Sequence, residues 1–221
     1  MKFHGGCICI RTGIPDYSEF PDKVYDWEHT CYKGAQETKP KDAPRALGNA
    51  VLTTSFVDAN LYHDLVSGRS VTGILHLFNQ TPIDWYSKLQ ATVETATYGS
   101  EFVATRICVE QIIEMRNTLR YLGVPVYGSS IMFGDNMSVV DSSSMPHAKL
   151  HKRHHALSFH KVREAVAAKI CKYFHVRGDT NPADVLSKHW DMPSVWNSLK
   201  PLLFWQGDTA RLIDEPDDDE G

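Results

Sequence analysis

Apolar residues in the first fifty positions follow no period. Tyr17, Phe20, Tyr25, Trp27 and Tyr32 are scattered among Pro, Gly, Asp and Lys, the texture of a linker or a remnant rather than of an element. From Val51 the pattern changes. VLTTSFVDA is β-rich and alternates weakly, and SVTGILHLF and PIDWYSK follow it, parted by Gly, Pro, Asn or Asp, which predicts an antiparallel meander of three strands. A long helix over Thr97 to Tyr121 is predicted by the stripe Phe102, Ile107, Val109, Ile112, Ile113, Met115 and Leu119, with Leu122-Gly123-Val124-Pro125 as its stop. SSIMF predicts a fourth strand, followed by a helix starting near Asp135 and another across a basic segment to about Ala168. KICKYFHV predicts a fifth strand, and a last helix starts near Asn181-Pro182. This order predicts an α/β fold, a five-stranded mixed sheet with its first three strands antiparallel and helices packed on it.

Composition bounds the molecule without changing that picture. A chain of 221 residues with 42% hydrophobic content supports one core, here placed at 51–190. Residues 1–50 precede it, 191–210 read as a helical extension anchored by Trp196 and Trp205, and 211–221 as an acidic disordered tail. No apolar stretch approaches the roughly 18 residues that span a bilayer, and the N-terminus lacks the apolar run of a signal peptide, so the expectation is a soluble, intracellular protein, cytoplasmic or nuclear. Five cysteines, an odd number at irregular spacing, fit a reducing compartment rather than a disulfide scaffold. Cys7-Ile8-Cys9 is narrower than the usual C-x-x-C zinc pair and reads as incidental.

Charge is more informative than its sum. The net value of −4 includes six acids in the last eight residues before Gly221, without which the chain stands at +2. Between Lys149 and Arg177, eight Lys or Arg face a single acid, Glu164, and five histidines join them. That stretch is either a solvated basic helix face or a phosphate-binding surface.

Four acids fall at suggestive places. Asp58 lies in or at the end of the first strand, Glu101 in the first turns of the long helix, Asp135 after the fourth strand, and Asp184 near the start of the last helix. Taken singly, each has a plain role as a turn former, a cap or a dipole-favouring first-turn acid. If the first and fourth strands are neighbours, Asp58 and Asp135 come side by side, and the two helix starts bring Glu101 and Asp184 to the same sheet edge. Four such carboxylates repel unless cations neutralise them, and oxygen-only donors suit Mg²⁺; two ions roughly 3.5–4 Å apart clamp attacking and leaving oxygens in phosphodiester hydrolysis.

The run from Thr53 through TTSFVDANLYHDLVSGRSVTGILHLF and PIDWYSKLQATVETATYGSEF, then IMFGDNMSVV, LHKRHHALSFHKVREAV and HVRGDTNPADVLSKH, resembles the ribonuclease H domain of copia-type retrotransposon polyproteins. The likeness covers residues 52 to 189, about three fifths of the chain, and rests on the ordered set of motifs. It implies a ribonuclease H-like fold, Mg²⁺ as a pair of ions with Mn²⁺ as the alternative, an RNA/DNA hybrid as substrate, and a reverse transcriptase domain as partner in a parent polyprotein housed in a virus-like particle. It also implies Asp58, Glu101, Asp135 and Asp184 as catalytic metal ligands. Glu101 matches the second glutamate of the usual E-A-E-Y, while Gly99 replaces the first. Cellular ribonucleases H carry a histidine in the loop before the last acid; this loop reads Arg177-Gly178-Asp179-Thr180, with His175 on the preceding strand.

A hybrid presents two phosphate backbones and, on one strand, 2′-hydroxyls. Lys152, Arg153, His154, His160 and Arg163 are the expected backbone contacts, with Arg69, Ser70 and Asn136 as further contacts. For Arg163 the alternative is pairing along its helix, and for Arg69, Ser70 and Asn136 it is turn chemistry. A catalytically inactive nucleic-acid-binding fragment and a different nuclease of the same general fold are the rival functions.

Overall fold

The computed structural model describes residues 11–64, 66–150 and 152–189. Cys7 and Cys9, the 191–210 extension with Trp196 and Trp205, and the acidic tail lie outside the described residues. Among the described residues five strands form one sheet in the order β3-β2-β1-β4-β5: β1 Thr53–Asp64, β2 Arg69–Phe78, β3 Thr81–Leu89, β4 Ser130–Gly134 and β5 Cys171–His175. The first three pair antiparallel, and β4 and β5 run parallel to β1. Helices are α1 Thr97–Tyr121, α2 Met137–Ser144, α3 Ala156–Ala167 and a single turn, α4 Asp184–Ser187. No helix among the described residues is long and apolar enough to cross a membrane.

One face of the sheet carries α1 and α3. Val57 and Ile74 from β1 and β2 meet Phe102, Cys108, Val109 and Ile112 from α1 and Phe159 and Val162 from α3 in one buried cluster. The stop expected for α1 forms as a glycine at positive φ: Gly123, at φ 72°, donates to the carbonyl of Arg120, and Val124 to that of Leu119. Trp85 is 69% exposed on β3.

The opposite face is closed by two pieces. Over β1 and β2 lies α4, so close to Gly73 that a Cβ there would stand 2.6 Å from the carbonyl oxygen of Ala183. Over β4 and β5 lie residues 11–50, which contain no helix or strand yet form a continuous strap. Phe20 packs on Phe133 and Phe174 with ring centroids 4.9 and 5.7 Å apart, and Tyr17 packs on Phe133 and donates to Thr54 Oγ1. The strap then crosses the β5 edge, where Asp22 meets Lys172, and reaches α3 with Trp27 and Tyr32. It ends on α1, where Glu37 receives both guanidinium forks of Arg116 and Arg120. Burial opposes ionisation of Glu37, but the two arginines outweigh it and hold its carboxyl down at about 2.

Candidate active site

The parallel pairing of β1 with β4 builds the site. Its last registered pair is Val57 with Gly134, so the next residues on the two strands, Asp58 and Asp135, emerge side by side. Of the two placements expected for Asp58, within the first strand or at its end, the first holds: β1 runs on to Asp64 against β2, and it is β4 that ends here. From the third direction comes α1, whose Glu101 is buried and accepts the backbone N–H of Ala59 at Oε1, 3.2 Å away. Carboxylate oxygens of Asp58, Glu101 and Asp135 all lie within 4.8 Å of one another. They line an open cleft of about 540 Å³ together with Asn60, Thr97, Asn136 and Lys188.

Burial and mutual repulsion disfavour their ionised forms. Asp58 is pushed up to about 6, first by burial and then by Asp135 and Asp184, against the Ser187 hydroxyl that donates to its Oδ2. Glu101 stands well above the usual range, by burial and by the charges of Asp58 and Asp135; burial also raises Asp135.

Asp184 is not part of that triangle. It opens α4 beside it, near enough for its charge to act on Asp58 and Asp135, and its carboxylate engages the Lys188 ammonium one turn on. Lys188 is held charged: burial pulls its pKa down, but the bond to Asp184 and the charges of Asp58, Asp184 and Asp135 raise it. The loop before α4 is fixed by Asn181, whose amide donates to the carbonyl of Val57. His175 contacts the backbone carbonyl of Asp135 through Nε2 at 3.0 Å.

Two expected hybrid contacts are corrected. Arg163 is 2% exposed: its fork donates to the carbonyls of Ser142, Met145 and Pro146, and Trp27, Tyr32 and Phe159 lie against it. It clamps the connection after α2 and has no surface to offer a ligand. Ser70 is fully buried at the start of β2. Arg69, Lys152, Arg153, His154 and His160 are exposed, His160 with Nδ1 held by the Tyr32 hydroxyl; Asn136 lines the cleft and caps α2 through Val139 N–H. Sequence reasoning missed Ser187 and Lys188, although both stand in the motif that supplied Asp184, ADVLSK.

This strand order, with a carboxylate cleft at the end of β4, defines a ribonuclease H-like fold. The described chain superposes on the N-terminal ribonuclease H domain of a Mycobacterium tuberculosis protein with a TM-score of 0.50 and 12% identity, covering 68% of this chain and all of that domain. In sequence it is homologous to retrovirus-related Pol polyproteins of plant transposons. It is 30% identical over 143 residues to that of TNT 1-94 from Nicotiana tabacum and 23% identical over 141 residues to that of RE2 from Arabidopsis thaliana. In each case 64% of this chain matches 10% of the relative, so the chain spans about a tenth of the polyproteins it resembles. No protein-family model matches.

Proposed function

We propose that the chain is a ribonuclease H, an endonuclease that hydrolyses the RNA strand of RNA/DNA hybrids with Mg²⁺, and that it works as a segment of a retrotransposon polyprotein alongside a reverse transcriptase. The observation that carries this reading is the convergence of Asp58, Glu101 and Asp135, from β1, α1 and the end of β4, in one cleft of this fold. Their donor set is oxygen only, and their raised pKa values mark carboxylates placed where a cation is needed to offset their charge, which fits Mg²⁺ or Mn²⁺. When bound, such ions supply activation of water and stabilisation of the leaving 3′-oxygen, giving a 3′-hydroxyl and a 5′-phosphate.

The chain's own residues do the rest. Asp58, Glu101 and Asp135 would hold the ions, with Asp184 beside them as the fourth carboxylate, and Lys188, which lines the cleft, would supply a cation for the phosphate. Ser187 holds Asp58 in place, and the Ala59 N–H holds Glu101. The hybrid extends from the cleft past Thr97 to the exposed side chains of Lys152 and Arg153, because Lys152 reaches Thr95 just ahead of α1. Lys152 and Arg153 meet its phosphates there, without base choice.

Incubation with a labelled hybrid and Mg²⁺ tests the proposal. The RNA strand is cut, duplex DNA and single-stranded RNA are spared, and Asp135→Asn abolishes cutting. A second reading, a binding module without catalysis, is favoured by the engagement of Asp184 with Lys188. It predicts salt-steep hybrid binding and intact RNA in Mg²⁺ and in Mn²⁺.

A further inference from the structure

A second set of metal-type donors lies on the helix side of the sheet. Glu94, in the loop before α1, and His155, at the end of the 3-10 turn that precedes α3, are 5% and 4% exposed. Glu94 Oε2 stands 3.6 Å from His155 Nδ1 and 3.7 Å from His154 Nε2, and suitable donor atoms of all three residues fall within 4.8 Å of one another. These separations are too long for hydrogen bonds. Glu94 Oε2 and His155 Nδ1 are both buried, and neither has a hydrogen-bond partner. Two buried polar atoms aimed at each other across a gap are what a missing third atom between them would leave.

We propose that Glu94, His154 and His155 bind one Zn²⁺ ion, in a site separate from the carboxylate cleft. Two imidazoles and one carboxylate are borderline donors that favour Zn²⁺ over Mg²⁺. Tetrahedral bonds of about 2.0–2.2 Å place neighbouring donors about 3.3–3.6 Å apart, so the two gaps to Glu94 Oε2 lie within a few tenths of an ångström of that geometry. Thr92 donates to Glu94 Oε1 at 3.3 Å and orients the carboxylate, as groups behind metal ligands do. His154 is open to solvent, with 55% of its side chain exposed, which provides the entry path and room for water as the fourth ligand. The nearby ammonium of Lys152 is directed to Thr95 Oγ1.

Gly99 leaves room for this cluster: a Cβ there would lie 2.6 Å from both Glu94 Oε2 and His155 Cε1. Bound zinc ties the loop before α1 to the start of α3, and so steadies the helix that carries Glu101.

The test uses the full 221-residue chain, stripped with a chelator and titrated with Zn²⁺ against a chromogenic competitor. We expect one ion whose affinity falls about 10-fold or more in His154→Ala and in Glu94→Gln, and more mildly in Thr92→Val. Zn²⁺ raises the melting temperature of the parent and not that of His154→Ala, whose exposed side chain leaves the metal-free fold intact. X-ray absorption shows two imidazoles on the ion, and excess Mg²⁺ does not displace it. Equal affinity in parent, His154→Ala and Glu94→Gln, or an ion coordinated by thiolates, overturns the proposal. Asp135→Asn, which removes a cleft ligand, leaves this zinc in place, so the outcome stands apart from that of the hybrid-cleavage assay.

Discussion

The backbone N–H of Ala59 donates to Oε1 of Glu101, fastening the first turns of α1 to β1 one residue beyond Asp58. The carboxylate thus has two separable properties, an acceptor oxygen and a negative charge. Glu101→Gln keeps the acceptor and removes the charge. In single-turnover assays its cleavage rate should fall by about 10²-fold or more, while its melting temperature without metal holds or rises. Glu101→Ala loses both and melts lower than Glu101→Gln.

The pH dependence follows from the direction of the shifts. Asp58 is raised to about 6, and Glu101 and Asp135 also stand above their ordinary values, all with burial as the first cause. For an acid whose folded pKa is raised, the stabilising contribution is complete below the ordinary carboxylate pKa of about 4 and is lost as pH rises through the folded value. The metal-free chain therefore loses stability at this cluster from about pH 4 to above 6, by about 3 kcal/mol for Asp58 alone. Urea unfolding in a chelator across that range should show the loss, Asp58→Asn should flatten it, and Mg²⁺ should restore stability above pH 6 because it binds the ionised forms.

Much of this architecture is legible in the chain, because β1 and β4 are β-rich apolar runs bounded by turn residues, and α1 carries a helical stripe and a Gly-Pro stop. The adjacency of β1 and β4 stood in the sequence only as a condition; their parallel pairing supplies it, and with it the meeting of Asp58 and Asp135. What escapes sequence reading is contact between distant, aperiodic residues. Nothing local marks Tyr17 and Phe20 as the cover of Phe133, or links Glu94 to histidines some sixty positions away. Arg163 looks like part of a basic surface because composition registers its charge and not the three carbonyls it satisfies. The turn of α4 is too short to show a period, so the orientation of Asp184 toward Lys188 is invisible before folding.

Arg163 should behave as a structural residue. Arg163→Lys cannot reproduce a planar fork reaching Ser142, Met145 and Pro146, and Arg163→Ala leaves those carbonyls without their donor. We expect a loss of about 3 kcal/mol or more for alanine by urea unfolding, and an unchanged slope of hybrid affinity against salt in whatever fraction remains folded. Lys152→Ala and Arg153→Ala should do the reverse, leaving stability nearly untouched and reducing that slope by about 1 each.

Gly73 sets the seat of α4. A Cβ on it would stand 2.6 Å from Ala183 O and 2.8 Å from Ser187 N, both backbone atoms that no side-chain rotation can clear. Gly73→Ala must therefore push α4 off β2, taking Ser187 away from Asp58 and moving Asp184 and Lys188. Hydrogen exchange should show lost protection in residues 181–188 with the rest of the sheet retained, and cleavage should fall with it.

The strap should prove to be part of the folding unit. Removing residues 1–50 strips Tyr17 and Phe20 from the rings of Phe133 and Phe174, and leaves Arg116, 3% exposed, without the carboxylate of Glu37. Arg116 keeps its bonds to Gly128 O and Ser130 Oγ but loses its ion pair, and with the uncovered aromatic face this removes a large share of the marginal stability of a small domain. A chain beginning at residue 51 should then be aggregated or molten, lacking cooperative unfolding. Single changes separate the two contributions: Phe20→Ala should cost about 2 kcal/mol at any pH, because only packing is lost. Glu37→Gln should destabilise at neutral pH and converge with the parent as pH falls toward 2, because a carboxyl held at about 2 contributes its stability above the ordinary carboxylate range and surrenders it on protonation.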